Sequence, residues 1–205
     1  CIILFPREAL PFLLFGIFVT IYFWIDTVML SLMKGDAVVG WYNAAYRLVL
    51  VFTFIPSAFV SSIYPILSKF YVSAQAKKTS DHNPSFKYLA ILGLPIAVGA
   101  TILADRIILI IYQSGFEESI IALQVLIWVI PIIFLTHMFG TMLASINRQA
   151  LAMKIVLLCA ISNIAMNLLL IPKYSYIGAS IATVITELIS FVLCFSFLSK
   201  FISKV

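Results

Sequence analysis

Residues 10–33, 38–59, 88–104, 120–146, 153–171 and 177–198 form long, almost wholly apolar runs, parted by short polar breaks such as Lys34-Gly35-Asp36 and Pro172-Lys173-Tyr174. An α-helix needs about 20 apolar residues to cross a hydrocarbon core of about 30 Å, and each run is near or above that length. A strand of a membrane barrel needs only about ten residues, but they must alternate apolar and polar, and these runs do not alternate. The pattern predicts an all-α integral membrane protein, a six-helix transmembrane bundle occupying residues 1–205 as one unit. Composition leaves little alternative. The chain is 63% hydrophobic and 10% charged, where a soluble domain carries roughly a quarter charged residues, and a water-soluble fold of 205 residues has too much surface to hide that apolar area.

The second run continues past Pro56 and Pro65 to residue 71, longer than one crossing requires, which predicts a kinked extension leaving the bilayer. The polar stretch 73–83, with Lys77 and Lys78, reads as the longest loop. Residues 107–112, after Asp105-Arg106 and before Gly115, read as a short interfacial segment. Pro131 interrupts the fourth run. The chain opens on a short apolar piece, Cys1 to Phe5, which reads as the tail of a preceding helix.

Six crossings assign the breaks alternately to two sides of the membrane. Arg7, Lys69, Lys77, Lys78, Lys87, Arg148, Lys154, Lys200 and Lys204 fall on one side, and Lys34, Arg106 and Lys173 on the other. Basic residues concentrate on the cytoplasmic side, so both termini are expected there, in the cell membrane. The same bias accounts for the basic pI without any nucleic-acid partner. Trp41 and Tyr42 beside one outer turn, and Tyr174 and Tyr176 beside another, are expected in the outer aromatic belt.

Polar groups inside the runs carry the functional information. A charge at the bilayer centre costs at least a few kcal/mol, so Asp26 and Arg47, at matched distances from the Lys34 turn, should face protein or a water-filled cavity and partner each other. This pair is either a structural pin for the hairpin or a cavity-lining group touching substrate or a coupling ion. Asn43, one turn before Arg47, should share its face. Glu187 sits mid-run in the stripe Ser180, Thr183, Glu187 and Ser190, beside a small-residue stripe of Gly178, Ala182 and Thr186. It reads equally as a protonated, hydrogen-bonded structural carboxyl or as a proton or sodium site. Asn163 and Asn167, an i, i+4 amide pair, suit hydrogen bonding between helices. His137 has no ligand partner, and Cys1, Cys159 and Cys194 lie far apart without a CxxC pair, so neither a metal, a cofactor nor a disulfide framework is expected. There is no HExxH, nucleophile elbow or phosphate-cradling glycine loop to suggest an enzyme.

Two segments carry a family likeness. Residues 25–47, IDTVMLSLMKGDAVVGWYNAAYR, resemble the start of the second lobe in prokaryotic polysaccharide-export flippases, and residues 171–187, IPKYSYIGASIATVITE, resemble the closing hairpin of such a lobe. ADRII at 104–108 and SINRQ at 145–149 extend the likeness to nearly the whole chain. The superfamily also holds multidrug and toxin extrusion antiporters and the lipid II flippase. The resemblance implies one six-helix lobe, equivalent to helices seven to twelve, that closes with a first lobe on a shared cavity. The implied substrate is a polyprenyl or dolichyl pyrophosphate-linked oligosaccharide. Arg47, Asn43 and Asp26 become candidates for contact with it, and Glu187 and Asp26 for ion coupling. The first lobe, as a missing segment or companion subunit, becomes the implied partner. An antiporter lobe and a non-transporting assembly subunit are the alternatives; an oligosaccharide polymerase is disfavoured by the short outer turns.

Overall fold

The computed structural model describes residues 5–59, 61–62, 84–145 and 149–202, and among these every regular element is a helix. The expected extension to residue 71, the 73–83 loop and the Asn147-Arg148 break lie outside the described residues, wholly or in large part.

Helix α1 is Phe5–Lys34 and α2 is Asp36–Phe52. Gly35 alone separates them at φ 87°, a left-handed conformation that glycine adopts without a Cβ penalty. Lys34 ends α1 and Asp36 begins α2, so each charge opposes the partial charge of its own helix end. Thr53 breaks α2, with its hydroxyl bonded to the Leu50 carbonyl at 2.6 Å, and residues 54–59 continue as helix. Pro56 has no N–H to give the carbonyl of Phe52, which is where the regular helix stops.

Helix α3, Pro84–Ile102, meets α4, Ala104–Tyr112, at a 72° bend over Leu103. Helices α5, Glu118–Leu126, and α6, Val129–Ser145, form one nearly continuous rod. Pro131 cannot donate to Ile127; Ile130 N–H turns to that carbonyl instead, at 3.0 Å, giving the short interruption before α6. Gly93 of α3 lies against Pro131, where an added Cβ would stand 2.9 Å from the proline Cα. That contact sets how closely α3 and α6 approach.

Helix α7, Gln149–Ile202, is two arms joined at Ser175, whose φ of 53° and ψ of −133° are not helical. Asp26 binds both Asn167 and Thr183, residues that a straight helix would hold roughly 24 Å apart. The arms are therefore antiparallel. Gly178 closes the turn: a Cβ there would meet the Leu170 carbonyl oxygen at 2.5 Å.

Among the described residues four stretches are long and apolar enough to span a membrane, Gly16–Lys34, Asp36–Phe59, Glu118–Gly140 and Ala150–Phe197, with Leu89–Ile102 plus α4 as a bent fifth. The chain is a multi-pass membrane protein. At one end of the bundle three turns are laced together. Lys34 Nζ donates to the Pro172 carbonyl at 3.0 Å, Trp41 Nε1 to the Gly115 carbonyl at 3.1 Å, and the Tyr176 hydroxyl to Glu118. Trp41 and Tyr176 meet edge to face at 5.9 Å.

Candidate functional site

The bundle interior holds a polar cluster where α1, α2 and both arms of α7 meet. Asp26 of α1 is 3% exposed. Its Oδ1 accepts from Asn167 Nδ2, and its Oδ2 from the Tyr42 hydroxyl at 2.9 Å and the Thr183 hydroxyl at 2.8 Å. Thr183 has a single proton and a second acceptor in reach, the Ala179 carbonyl at 2.9 Å. One turn earlier on α1, the Tyr22 hydroxyl donates to Glu187 Oε1 at 2.8 Å. Glu187 is 8% exposed and lies within electrostatic reach of Asp26. Helical spacing explains the grouping: Tyr22 and Asp26 share one face of α1, and Thr183 and Glu187 one face of the second arm, each pair four residues apart.

The Asn167 amide has two protons. One goes to Asp26 and the other to Asn163 Oδ1 at 2.9 Å. Its own Oδ1 is buried and has no partner among the described residues. A flipped amide would turn oxygen toward an ionised Asp26, so an ionised carboxylate favours this orientation and the orphaned acceptor that comes with it.

Asp26 and Arg47, expected as partners, are not brought together. The hydrogen bonds to Asp26 come from hydroxyls and an amide, while Arg47 is exposed and forms no ion pair among the described residues. The face of α2 turned to the carboxylates carries Tyr42 and Tyr46, stacked at 5.6 Å with planes 15° apart. Asn43, half-buried beside them, accepts from the Thr27 hydroxyl at 3.0 Å and ties α2 to α1. His137 is exposed on α6. Ser180, Thr183 and Glu187 are all buried, as are Ala182 and Thr186 of the small-residue stripe.

Two tyrosines assigned to the outer belt are buried instead: Tyr42 is 0% and Tyr176 7% exposed. Each hydroxyl has found a carboxylate, Asp26 for Tyr42 and Glu118 for Tyr176, and a satisfied hydroxyl can be buried as readily as it can sit in the interface. Tyr22, Tyr42 and Tyr46 are the site residues that reading the sequence missed. Their signal was present, in the four-residue spacings 22–26 and 42–46, but Tyr42, near the Lys34 turn, also fits a membrane belt.

Residues 3–71, which include α1 and α2, match the polysaccharide biosynthesis protein family. The chain is 25% identical over 183 residues to a probable low-salt glycan biosynthesis flippase of Haloferax volcanii, covering 89% of this chain and 39% of that protein. A second protein of that organism, the probable flippase AglR, is 25% identical over 184 residues, covering 87% of this chain and 38% of its own length. An uncharacterised membrane protein of Methanocaldococcus jannaschii is 26% identical over 179 residues, with 86% and 35% covered. The chain thus spans less than two fifths of the relatives it matches. The first two helices fall inside the family match, and the chain is similar along most of its length to proteins named as probable flippases.

Proposed function

We propose that this chain is the second lobe of a two-lobe flippase that moves a polyprenyl or dolichyl pyrophosphate-linked oligosaccharide across the cell membrane by alternating access. The head group crosses in a cavity shared with a first lobe, while the lipid tail stays in the bilayer. In this reading the six crossings put both termini in the cytoplasm, and the chain is a transporter component rather than an enzyme.

The observation that carries the reading is the pair of buried carboxylates, Asp26 and Glu187, held by neutral donors from two helices and both arms of a third, with no cation bonded to either among the described residues. A structural ion pair would bring its own counter-charge. A site that takes up and releases a proton or a monovalent cation needs the carboxylates free of one, and the orphaned Asn167 oxygen adds an acceptor beside Asp26. We therefore assign Asp26 and Glu187 to ion coupling. Arg47, exposed at span depth, and Asn43 beside it are assigned to the substrate side, since a guanidinium suits the oxygens of a pyrophosphate bidentately.

The test is Glu187→Gln in vesicles holding the chain with its first lobe. Glutamine keeps the shape and the bond from Tyr22 while removing titration. Transport that no longer responds to an imposed proton or sodium gradient supports the coupling role. A full response in the variant rules it out, and transport of cationic drugs in place of lipid-linked sugar moves the chain to the antiporter branch.

A further inference from the structure

Helix α3 and the 72° bend after it carry a second inference. Pro84–Ile102 is 19 residues, or about 28 Å of helix, close to the about 30 Å of a hydrocarbon core. A helix that crosses the bilayer over that length ends where the headgroups begin. There the chain turns through 72° into α4, so if α3 follows the bilayer normal, α4 runs close to the membrane plane.

The surface of α4 is divided along its length. Ala104 and Ile108 are buried against the bundle. Leu103, Ile107 and Ile110 recur at i, i+4 and i+7 down one flank, with Leu103 45% and Ile110 79% exposed. Asp105 and Gln113 lie on the opposite flank with Leu109, 44% exposed, between them, and Arg106 lies on the outer surface; all are exposed. The arrangement suits a helix lying in the interface: a wholly apolar flank toward the acyl chains, polar residues at both ends of the other flank toward water and a cation at the level of the lipid phosphates. A helix standing upright in hydrocarbon would leave Asp105 and Arg106 at a cost of a few kcal/mol each.

We infer that α4 is an in-plane anchor that binds the phospholipid surface of one leaflet, with Leu103, Ile107 and Ile110 among the acyl chains and Arg106 against the phosphates. Trp41 holds Gly115, just past the end of α4, and the Tyr176 bond to Glu118 holds the start of α5. The anchor therefore fixes the depth of the laced rim of the bundle, whatever the protein transports.

The test places a nitroxide at Leu103, Asp105, Ile110 or Gln113 of the full chain, in vesicles of equal parts phosphatidylcholine and phosphatidylglycerol. Collision with oxygen, which partitions into lipid, is compared with collision with a water-soluble nickel chelate. Cys1 is first replaced by serine, and that chain without a further substitution supplies the baseline, since Cys159 and Cys194 are buried. The logarithm of the oxygen-to-nickel ratio is expected to be positive at Leu103 and Ile110 and negative at Asp105 and Gln113. If Leu103→Cys fails to fold, Ile111→Cys, 53% exposed, reports the lipid side near Ile110. Nickel prevailing at all positions makes α4 a water-exposed helix and overturns the inference. So does protection of Leu103 and Ile110 from both reagents, which marks a protein-covered face, or oxygen prevailing at Asp105 and Gln113, which marks a helix immersed in hydrocarbon.

Discussion

Asn167 donates to Asp26 across 141 residues of sequence, and its second amide proton is spent on Asn163. One side chain thus joins α1 to the first arm of α7 and holds an acceptor oxygen in place beside a buried carboxylate. Removing it leaves Asp26 with its two hydroxyl donors and the weaker influence of Asn163. Losing a buried partner of a polar group costs about 1–3 kcal/mol, although hydrogen bonds between membrane helices average about 0.6 kcal/mol. A carboxylate acceptor argues for the higher figure. Asn167→Leu is expected to destabilise the chain by about 1–3 kcal/mol and Asn163→Leu, which loses a neutral bond, by about 0.6 kcal/mol, measured by reversible unfolding in mixed micelles. Equal losses would show that Asp26 does not depend on Asn167.

The tyrosines rather than Arg47 hold the carboxylates. Tyr42→Phe removes the phenol donor to Asp26 without opening a void and is expected to cost about 1–3 kcal/mol. Arg47→Gln, at an exposed position, is expected within about 0.5 kcal/mol of the unsubstituted chain. The reverse order in the same unfolding measurement would restore the Asp26–Arg47 pair and remove the network described here.

Close backbone approach makes a sharper contrast among the glycines. At Gly178 a Cβ meets the Leu170 carbonyl oxygen at 2.5 Å, whereas at Gly140 nothing lies within 4 Å. Gly178→Ala must force the two arms of α7 apart, at about 1–3 kcal/mol or more, and should weaken the Asn167–Asp26–Thr183 junction with it. Gly140→Ala, in a helix interior, is expected to be neutral or stabilising by up to about 1 kcal/mol. Similar yields and melting midpoints for both variants would show that the turn tolerates a wider spacing.

The proposed orientation rests on nine basic residues assigned to one side against three assigned to the other. Single cysteines at Ser80 and Gly35 are expected to react with an impermeant maleimide from opposite faces, Gly35 from outside the cell. Reaction of both from outside would contradict the alternation on which the six crossings rest.

Much of the fold was legible because helix ends in a membrane are written as polar breaks. Lys34-Gly35-Asp36 and Pro172-Lys173-Tyr174 both lie at turns of the structure, and Pro131 lies beside the interruption between α5 and α6. The carboxylates were legible too, because a charge among apolar residues stands out. Their partners were not. A tyrosine in a membrane helix reads as an interfacial anchor, and only the packing of α2 against α1 and α7 turns Tyr42 inward to Asp26. Arg47 was paired with Asp26 because charge and depth matched, but α2 presents residues 42 and 46 to the carboxylates, and position 47 lies about 100° farther round the helix.

Reconstitution with a fluorescent polyprenyl pyrophosphate-linked oligosaccharide tests the proposal that this chain supplies one wall of a flippase. No flipping above empty vesicles is expected from the 205-residue chain alone, and flipping is expected when a first-lobe polypeptide is added, lost again in Asp26→Asn. Transport by the chain alone as a monomer, or transport indifferent to Asp26, would contradict it.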